Sequence, residues 1–311
     1  MTIDVVIPNY NGSSLIKKNL PQVLAQVKKY KANIIISDDR SKFDDFEELS
    51  RFIKELQDKG EKVILQRNEK NLGFSSSVNN GVAASKADFI VLLNTDVYPE
   101  RDFLDAALAD LLQDENLFGV GFMDKSIEGD KTVLRGRGLA SWQKGFLLHK
   151  RGEVDKPDTF WVSGGSSIIR RQLFVKLGGL DILYDPFYWE DIDLSYRAKK
   201  SGYKLKFESK SIVEHRHEEG AIKKYYGSSN VKTIAYRNQF IFVWKNITAP
   251  SLILSHLVWL PYHVVPAFLR LDAPFILGFI YAIVRLPLII NKRYIQAKFY
   301  KKRDRDLFNN Q

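Results

Sequence analysis

The chain has 311 residues, 45% of them hydrophobic and 27% charged, which suits one large α/β domain or two small ones and does not suit a disordered chain. It contains no cysteine, which excludes a disulfide framework, a thiolate nucleophile and a cysteine-built zinc site. The formal charge is +10, and from Arg270 onward nine Lys/Arg stand against three Asp, so the excess gathers at the C-terminus and points to nucleic acid or an anionic membrane face.

The N-terminal "MTIDVVIPNYNG" runs straight into an apolar strand, with no charged stretch and long apolar run before it, so no signal peptide is expected. "IDVVIP" reads as a buried strand, Leu15–Tyr30 as a helix opened by Ser13 or Ser14, and "ANIIISDD" as a second strand. Phe46–Leu56 has helical apolar spacing and stops at Gly60. "KVILQ" is a third strand, Ser75–Ala84 a helix, "ADFIVLLNTD" a fourth strand, Phe103–Leu112 a helix and "LFGVGF" a fifth strand. Short apolar strands alternating with helices predict βαβ units, an α/β fold and a mainly parallel sheet.

In such sheets ligands bind beyond the carboxyl ends of the strands. There the sequence has "PNYNG", "SDDRS", "RNEKNLGF" and "NTD", one after each of the first four strands. Each is also an ordinary turn or cap sequence, and their convergence on one edge is what makes a site. The carboxylate of "NTD" can hold a hard divalent cation bridging a diphosphate. The acids of "SDDRS" can accept hydrogen bonds from a base or ribose. Backbone N–H groups at the serine-rich helix start after Gly73 could meet an anion. The pattern is not that of a P-loop.

Residues 124–160 are polar and read as an insertion or substrate loop. "FWVSGGSSIIRRQLF" gives a strand end, a Gly-Gly turn, a strand and a helix start. In "DPFYWEDIDLSYRAKKSGYKL" the adjacent acids Glu190 and Asp191 stand behind Phe187, Tyr188 and Trp189 at the start of a helix ended by Gly202, with Lys199 and Lys200 in the last turn, where they favour the helix dipole. "VEHRHEEG" puts His215 and His217 on one side of an extended segment. From Ile247 two strongly apolar runs follow, "APSLILSHLVWLPYHVVPAFLRL" and "APFILGFIYAIVRLPLII". Their length is borderline for spanning a bilayer, but Pro261, Pro266, Pro274, Pro287, Arg270, Asp272 and Arg285 interrupt them. Amphipathic helices lying on a membrane surface, anchored by the basic end, are the expected arrangement. Packing on the catalytic part or on a dimer partner is the alternative. The charge trails apolar runs and is not interleaved with aromatics on a defined module, so nucleic acid is not expected as a partner.

Taken in order, "VIPNYNG", "SDDRS", "NLGFSSSVNNG", "LLNTD", "SGGSSIIRR", "YWEDIDLSYRAKKSGY", "HRHEEG" and "YRNQFIFVWKN" resemble the family 2 glycosyltransferases with a GT-A fold, in their rhamnosyltransferase-like branch. The resemblance covers roughly residues 3–246. It implies a GT-A catalytic domain over 1–246, with a nucleotide-sugar half of about 1–122 and an acceptor half of about 123–246, followed by a membrane-associating region over 247–311. It also implies a nucleotide-diphosphate sugar donor (UDP-, dTDP- or GDP-linked), a divalent metal (Mg or Mn) and inversion at the anomeric carbon. The sugar, rhamnose among the candidates, would go to a saccharide acceptor, lipid-linked in many members, at the cytoplasmic face of the cell membrane during cell-surface polysaccharide biosynthesis.

Residue by residue, the resemblance puts Pro8, Tyr10, Asp38, Asp39, Asn71 and Gly73 at the nucleoside. Asn94 and Asp96 fall in the D-x-D-like motif, with Asn where many members have Asp, and Asp96 is the metal-binding acid. Gly164 and Gly165 would let the acceptor approach the backbone. Asp191 would be the general base, Glu190 would hold the acceptor or the loop, and Trp189 with its neighbours would supply a platform for the sugar. His215 or His217 would reach the metal or diphosphate. The absence of a Q-x-x-R-W motif argues against a processive synthase. The non-enzymatic alternative is a membrane-associated saccharide-binding protein with a decayed site.

Overall fold

Runs of Val, Ile and Leu buried on both faces belong in the middle of a sheet covered on both sides. Ile3–Asn9 (β1), Asn33–Asp38 (β2), Val63–Arg67 (β3) and Phe89–Leu93 (β4) form such a sheet, parallel throughout, in the order β3-β2-β1-β4. The computed structural model describes residues 1–216 and 226–308. Alternate residues of β1 serve opposite layers. Val5 and Ile7 face the helices Ser13–Val27 (α1) and Phe43–Asp58 (α2), while Val6 faces Phe74–Ala84 (α3). Each such side chain taken fully out of water contributes roughly 1.5–3 kcal/mol, so strand register and helix layers fix one another.

Beyond β4 the sheet continues through Ser166–Arg170 (β10), Leu117–Glu128 (β6), Lys204–His215 (β11) and Val97–Pro99 (β5). β10 is antiparallel to both neighbours, β4 and β6, so β6 and β11 run in the direction of the first four strands. The helices Asp105–Gln113 (α4) and Arg171–Lys176 (α5) cover this half.

The stretch 124–160, expected to be an irregular loop, is mostly strand. β6 runs on to Glu128 and pairs with Lys131–Arg135 (β7), and Gly138–Gln143 (β8) pairs with Phe146–Arg151 (β9) as a separate hairpin. Polar, half-exposed hairpins lack the apolar alternation that marks a strand in sequence.

The remaining helices are Glu190–Lys200 (α6), Ser228–Asn246 (α7), Pro250–Leu269 (α8), Ala273–Val284 (α9), Leu286–Ala297 (α10) and Asp304–Phe308 (α11). One hydrophobic cluster joins them. Phe146 and Leu147 of β9, Tyr196 of α6, Phe240 and Phe242 of α7, Phe275 of α9 and Leu307 of α11 pack together, on both sides of the 246/247 boundary. Buried ion pairs reinforce it. Lys245 meets Asp193 at 2.7 Å and Asp181 at 2.8 Å, Arg197 meets Asp193 at 2.7 Å, and Lys200 pairs with Asp304. Lys200 is therefore a buried partner of the C-terminal helix and not a solvated charge at the end of α6.

The outer faces of α8–α10 remain open. Leu254, Leu257, Val258, Phe268, Leu269, Ile280, Val284, Leu288 and Ile290 are exposed. Among the described residues α8 is the one single helix long and apolar enough to cross a membrane, with a mean hydropathy of 1.6, and α9 with α10 meets the same test as a pair bent by 63°.

Candidate active site

Four parallel strands end on one edge, and a cavity of about 570 Å³ opens there. Pro8, Tyr10, Asp39, Asn71 and Gly73 line it from the loops after β1, β2 and β3. Asn94 and Asp96 line it after β4, Gly164 and Gly165 before β10, Glu190 and Asp191 at the start of α6, and His215 at the end of β11. Two residues expected at the site are elsewhere, and His217 lies outside the described residues.

Asp38 is the first exception. Its side chain is 0% exposed, and its carboxylate takes hydrogen bonds from Asn9 Nδ2 (2.8 Å), Ser41 Oγ (2.5 Å) and Ser41 N (3.1 Å), with Arg67 Nε at 3.4 Å. A strand alternates its faces, so only one of two adjacent acids at its end can look into the pocket. That one is Asp39, which accepts from the backbone N–H of Leu72 and Gly73, both at 2.8 Å, and clamps the Asn71–Gly73 turn against the β2 loop.

Trp189 is the second. It has φ +77° and turns its indole into the second cluster, edge-on to His149 with ring centroids 5.1 Å apart and tilted against Phe242. Phe187 and Tyr188 line the cavity in its place, with Phe187 set against Tyr226 at 4.8 Å.

The N-terminus of α3 is not open to an anion from solvent, because the chain supplies its own. Asp185 accepts from Ser75 N and Ser76 Oγ, both at 2.8 Å. Burial pushes this carboxyl up to about 6, against the pull of the serine donors. Gly73 makes the approach feasible: its φ is +95°, and a Cβ there would lie 2.7 Å from the Asp185 carboxylate. The glycine pair 164–165 is likewise spoken for from within. The space a side chain would take at Gly165 holds the Asn94 side chain, and that at Gly164 holds the Phe74 ring, so glycine lets these two side chains close against the backbone while both glycines line the cavity.

Strand register assembles the polar corner of the pocket. β11 pairs antiparallel with β5, setting His215 opposite Val97, and runs parallel to β6, setting Val213 beside Asp124. His215 Nε2 then lies 3.3 Å from Asp96 and Nδ1 lies 2.9 Å from Asp124. Burial pushes the imidazole down, but the two carboxylates outweigh it and hold the ring up at about 9. Among the described residues no group of three or more His, Asp or Glu could hold a metal by itself. Asp96 and His215 nevertheless fit a divalent cation, which would take the place of the imidazolium proton on Nε2. One carboxylate and one imidazole face the same space, with Asp124 fixing the far ring nitrogen, and a hard cation completes its shell with substrate phosphate oxygens.

The acid pair at α6 differs in setting from Asp96. Burial raises Asp191 to about 6, partly offset by hydrogen bonds from the backbone N–H groups of Ile192 and Gly164. Glu190 is buried, one of its carboxylate oxygens has no hydrogen-bond partner, and burial together with the neighbouring Asp191 charge raises it well above the ordinary range. The two neighbouring acids therefore titrate unequally, and Asp191 is the one that ionises near neutral pH.

The cavity also uses residues not read from the sequence. Phe74 and Ser163 directly follow and precede glycines singled out above, so adjacency was the available signal. Glu128 and Arg135, paired across the β6–β7 hairpin, and Tyr226 carry no local signature.

The glycosyl transferase family 2 model matches residues 4–178. The hyaluronan synthase of Pasteurella multocida is 22% identical over 227 residues, 64% of this chain and 23% of that protein. The probable glycosyltransferase YdaM of Bacillus subtilis is 28% identical over 217 residues, 66% of this chain and 48% of that protein. The chain thus spans between about a quarter and a half of these curated relatives. Among solved structures, GalNAc-T7 with UDP, GalNAc and Mn²⁺ superposes with a TM-score of 0.65 at 18% identity, covering 86% of this chain and 57% of that one. The mannosyltransferase PcManGT from Pyrobaculum calidifontis, in complex with GDP-Man and Mn²⁺, gives 0.56 at 15% identity, covering 91% and 86%. The fold is therefore GT-A, an α/β fold with a mainly parallel central sheet.

Proposed function

Because this chain belongs to glycosyl transferase family 2, we propose that it is an inverting, metal-dependent glycosyltransferase. It moves one sugar, rhamnose being the first to test, from a nucleoside-diphosphate donor to a lipid-linked saccharide in cell-surface polysaccharide biosynthesis. The observation that carries the reading is the convergence of Asp96, His215, Glu190 and Asp191 on one cavity with two kinds of carboxylate. One faces an imidazole, and the other is desolvated beside a second buried acid whose proton affinity is raised.

Each group has a chemical task. Asp191, ionised above about pH 6, accepts the proton of the acceptor hydroxyl as the oxygen attacks the anomeric carbon. Glu190, with one carboxyl oxygen unpartnered, is placed to hydrogen-bond the acceptor and so fix the attack angle. Phe187 and Tyr188 cover the sugar and exclude water, which strengthens the charges inside. Asp39 holds the turn that bounds the nucleoside end. Asp96 and His215 would hold the divalent metal, which when bound offsets negative charge on the leaving diphosphate.

In this reading residues 1–246 are the catalytic unit, and the exposed apolar faces of α8–α10, with their basic ends, rest on the cytoplasmic face of the membrane. Pro261 and Pro266 within α8 and the bend between α9 and α10 favour lying on the bilayer over crossing it.

The test is a thermal-shift series with Mn²⁺ and UDP, GDP, dTDP or CMP. Stabilisation by one diphosphate, only with metal, supports the transferase and names the donor nucleotide. No response to any of them overturns it and favours the decayed, binding-only alternative.

A further inference from the structure

A second cavity, of about 420 Å³, lies between α7 and α9. Two guanidinium groups line it, Arg237 and Arg285, together with Asn230, Thr233 and Tyr281. Ile234 and Tyr226 complete the lining, and Tyr226 also lines the catalytic pocket, so the two cavities share a wall.

The arginines face the cavity without an ion-pair partner among the described residues, the Asp185 charge acting on Arg237 only from a distance. Arg237 is buried and gives Nη2 to the carbonyls of Asp185 (2.6 Å) and Tyr184 (3.2 Å) and Nε to Asn238 (2.9 Å). Its Nη1 has no partner among the described residues. Arg285 gives only Nη1, to the Tyr281 carbonyl at 3.0 Å. The nearby Asp185 carboxylate is already engaged by Ser75 and Ser76. Burial first, and then the Arg285 charge, push the Arg237 guanidinium down to about 10, the mark of two like charges facing one space. A pair of cations held together beside a polar cavity is stable when an anion with several acceptor oxygens sits between them, and guanidinium forks match phosphate oxygens in geometry.

The surroundings say what carries the phosphate. Arg285 joins α9 to α10, and the flanking Ile283, Val284, Leu288 and Ile290 are exposed and apolar. On one side of the arginine pair lies the acid-lined catalytic pocket, and on the other an apolar surface with no partner. We propose that this second cavity binds the phosphate or diphosphate of an amphiphilic acceptor, whose hydrocarbon lies along α9 and α10 and whose sugar reaches past Tyr226 toward Asp191. This rests on the transferase reading for its sugar end, but the phosphate site itself does not depend on it.

Binding of farnesyl diphosphate, inorganic pyrophosphate and farnesol to the full chain, measured by calorimetry without divalent metal, tests the inference. Farnesyl diphosphate should bind more tightly than either of the others. Arg285→Gln should weaken farnesyl diphosphate by at least about tenfold and leave farnesol unchanged. Arg285→Lys should recover part of the loss. Arg285 is half-exposed, and an unchanged unfolding midpoint checks that the variant folds. Equal affinity of wild type and Arg285→Gln for farnesyl diphosphate would overturn the site. Pyrophosphate binding as tightly as farnesyl diphosphate would overturn a lipid source for the phosphate. Loss of farnesyl diphosphate binding in Arg285→Gln, in a protein that no nucleotide stabilises, would leave this site standing while the transferase reading fell. A nucleotide response with Arg285-independent farnesyl diphosphate binding would do the reverse.

Discussion

Replacing Asp191 by Asn separates the two acids of the pocket. The substitution keeps the shape and removes a carboxylate whose proton affinity suits a base at neutral pH. General base catalysis is worth about 10²–10⁴, so kcat should fall by at least about 10² while donor affinity stays within about twofold. The wild-type rate should itself follow pH. With Asp191 at about 6, the ionised fraction rises about tenfold between pH 5 and pH 7, and the rate should rise with it. Glu190→Gln should leave the midpoint of that profile in place, because burial and backbone hydrogen bonds, not Glu190, set the Asp191 carboxyl. Stability should move the opposite way from activity. A carboxyl held at about 6 when folded against 3.8 otherwise binds its proton more tightly in the folded state, so its ionisation destabilises the fold as pH rises above about 4, fully so above about 6. Asn cannot ionise. Asp191→Asn should therefore be more stable than wild type at pH 7, by at most about 3 kcal/mol given its partial exposure, and indistinguishable from it at pH 4. The assay is nucleoside-diphosphate release from the donor across pH 4.5–8, paired with unfolding midpoints at both ends. Turnover like wild type in Asp191→Asn, or a profile that shifts in Glu190→Gln, would refute the assignment.

Asp96→Asn should abolish the metal dependence of donor binding; calorimetry showing the same donor affinity with and without Mn²⁺ in wild type would remove Asp96 from that role. Gly73→Ala drives a Cβ to 2.7 Å from the Asp185 carboxylate at φ +95°, and should cost about 2 kcal/mol, seen as a lower unfolding midpoint, as well as weaken nucleotide binding. Asp193→Ala leaves Arg197 and Lys245 buried with one acid fewer, and should destabilise by roughly 3–5 kcal/mol in denaturant melts. For the membrane face, Leu257→Ser with Val258→Ser should reduce co-sedimentation with anionic vesicles while leaving the melt unchanged, and equal sedimentation would point to another anchor. Point changes are the cleaner test, since removing residues 270–311 would also take Asp304 from Lys200.

The polar loops after the first four strands were legible because strand and helix periods are local, and a parallel sheet sends its loops to one edge. Thus Tyr10, Asn71 and Asp96 stand in those loops, the family resemblance adds Asp191, and the cavity gathers all four. Sequence could not say which of two adjacent residues faces the ligand. Asp38 and Asp39 differ only by the alternation of a strand end, and Trp189 is turned away from the cavity by a left-handed backbone at its own position. It also could not show that Asp185 occupies the start of α3 across 110 residues of chain, or that Glu128 and Arg135 reach the pocket on a hairpin.

What the sequence determined by itself is the strand–helix alternation of the first four strands, the family and the acids available, because these follow from local pattern and residue type. What only the tertiary structure decided is the state and partner of each acid. Asp96 lies 3.3 Å from an imidazole brought in by β11, while Asp191 is desolvated beside a second buried acid, Glu190. Proton affinity depends on burial and on charges a few ångströms away, and folding brings those together from parts of the chain far apart in sequence.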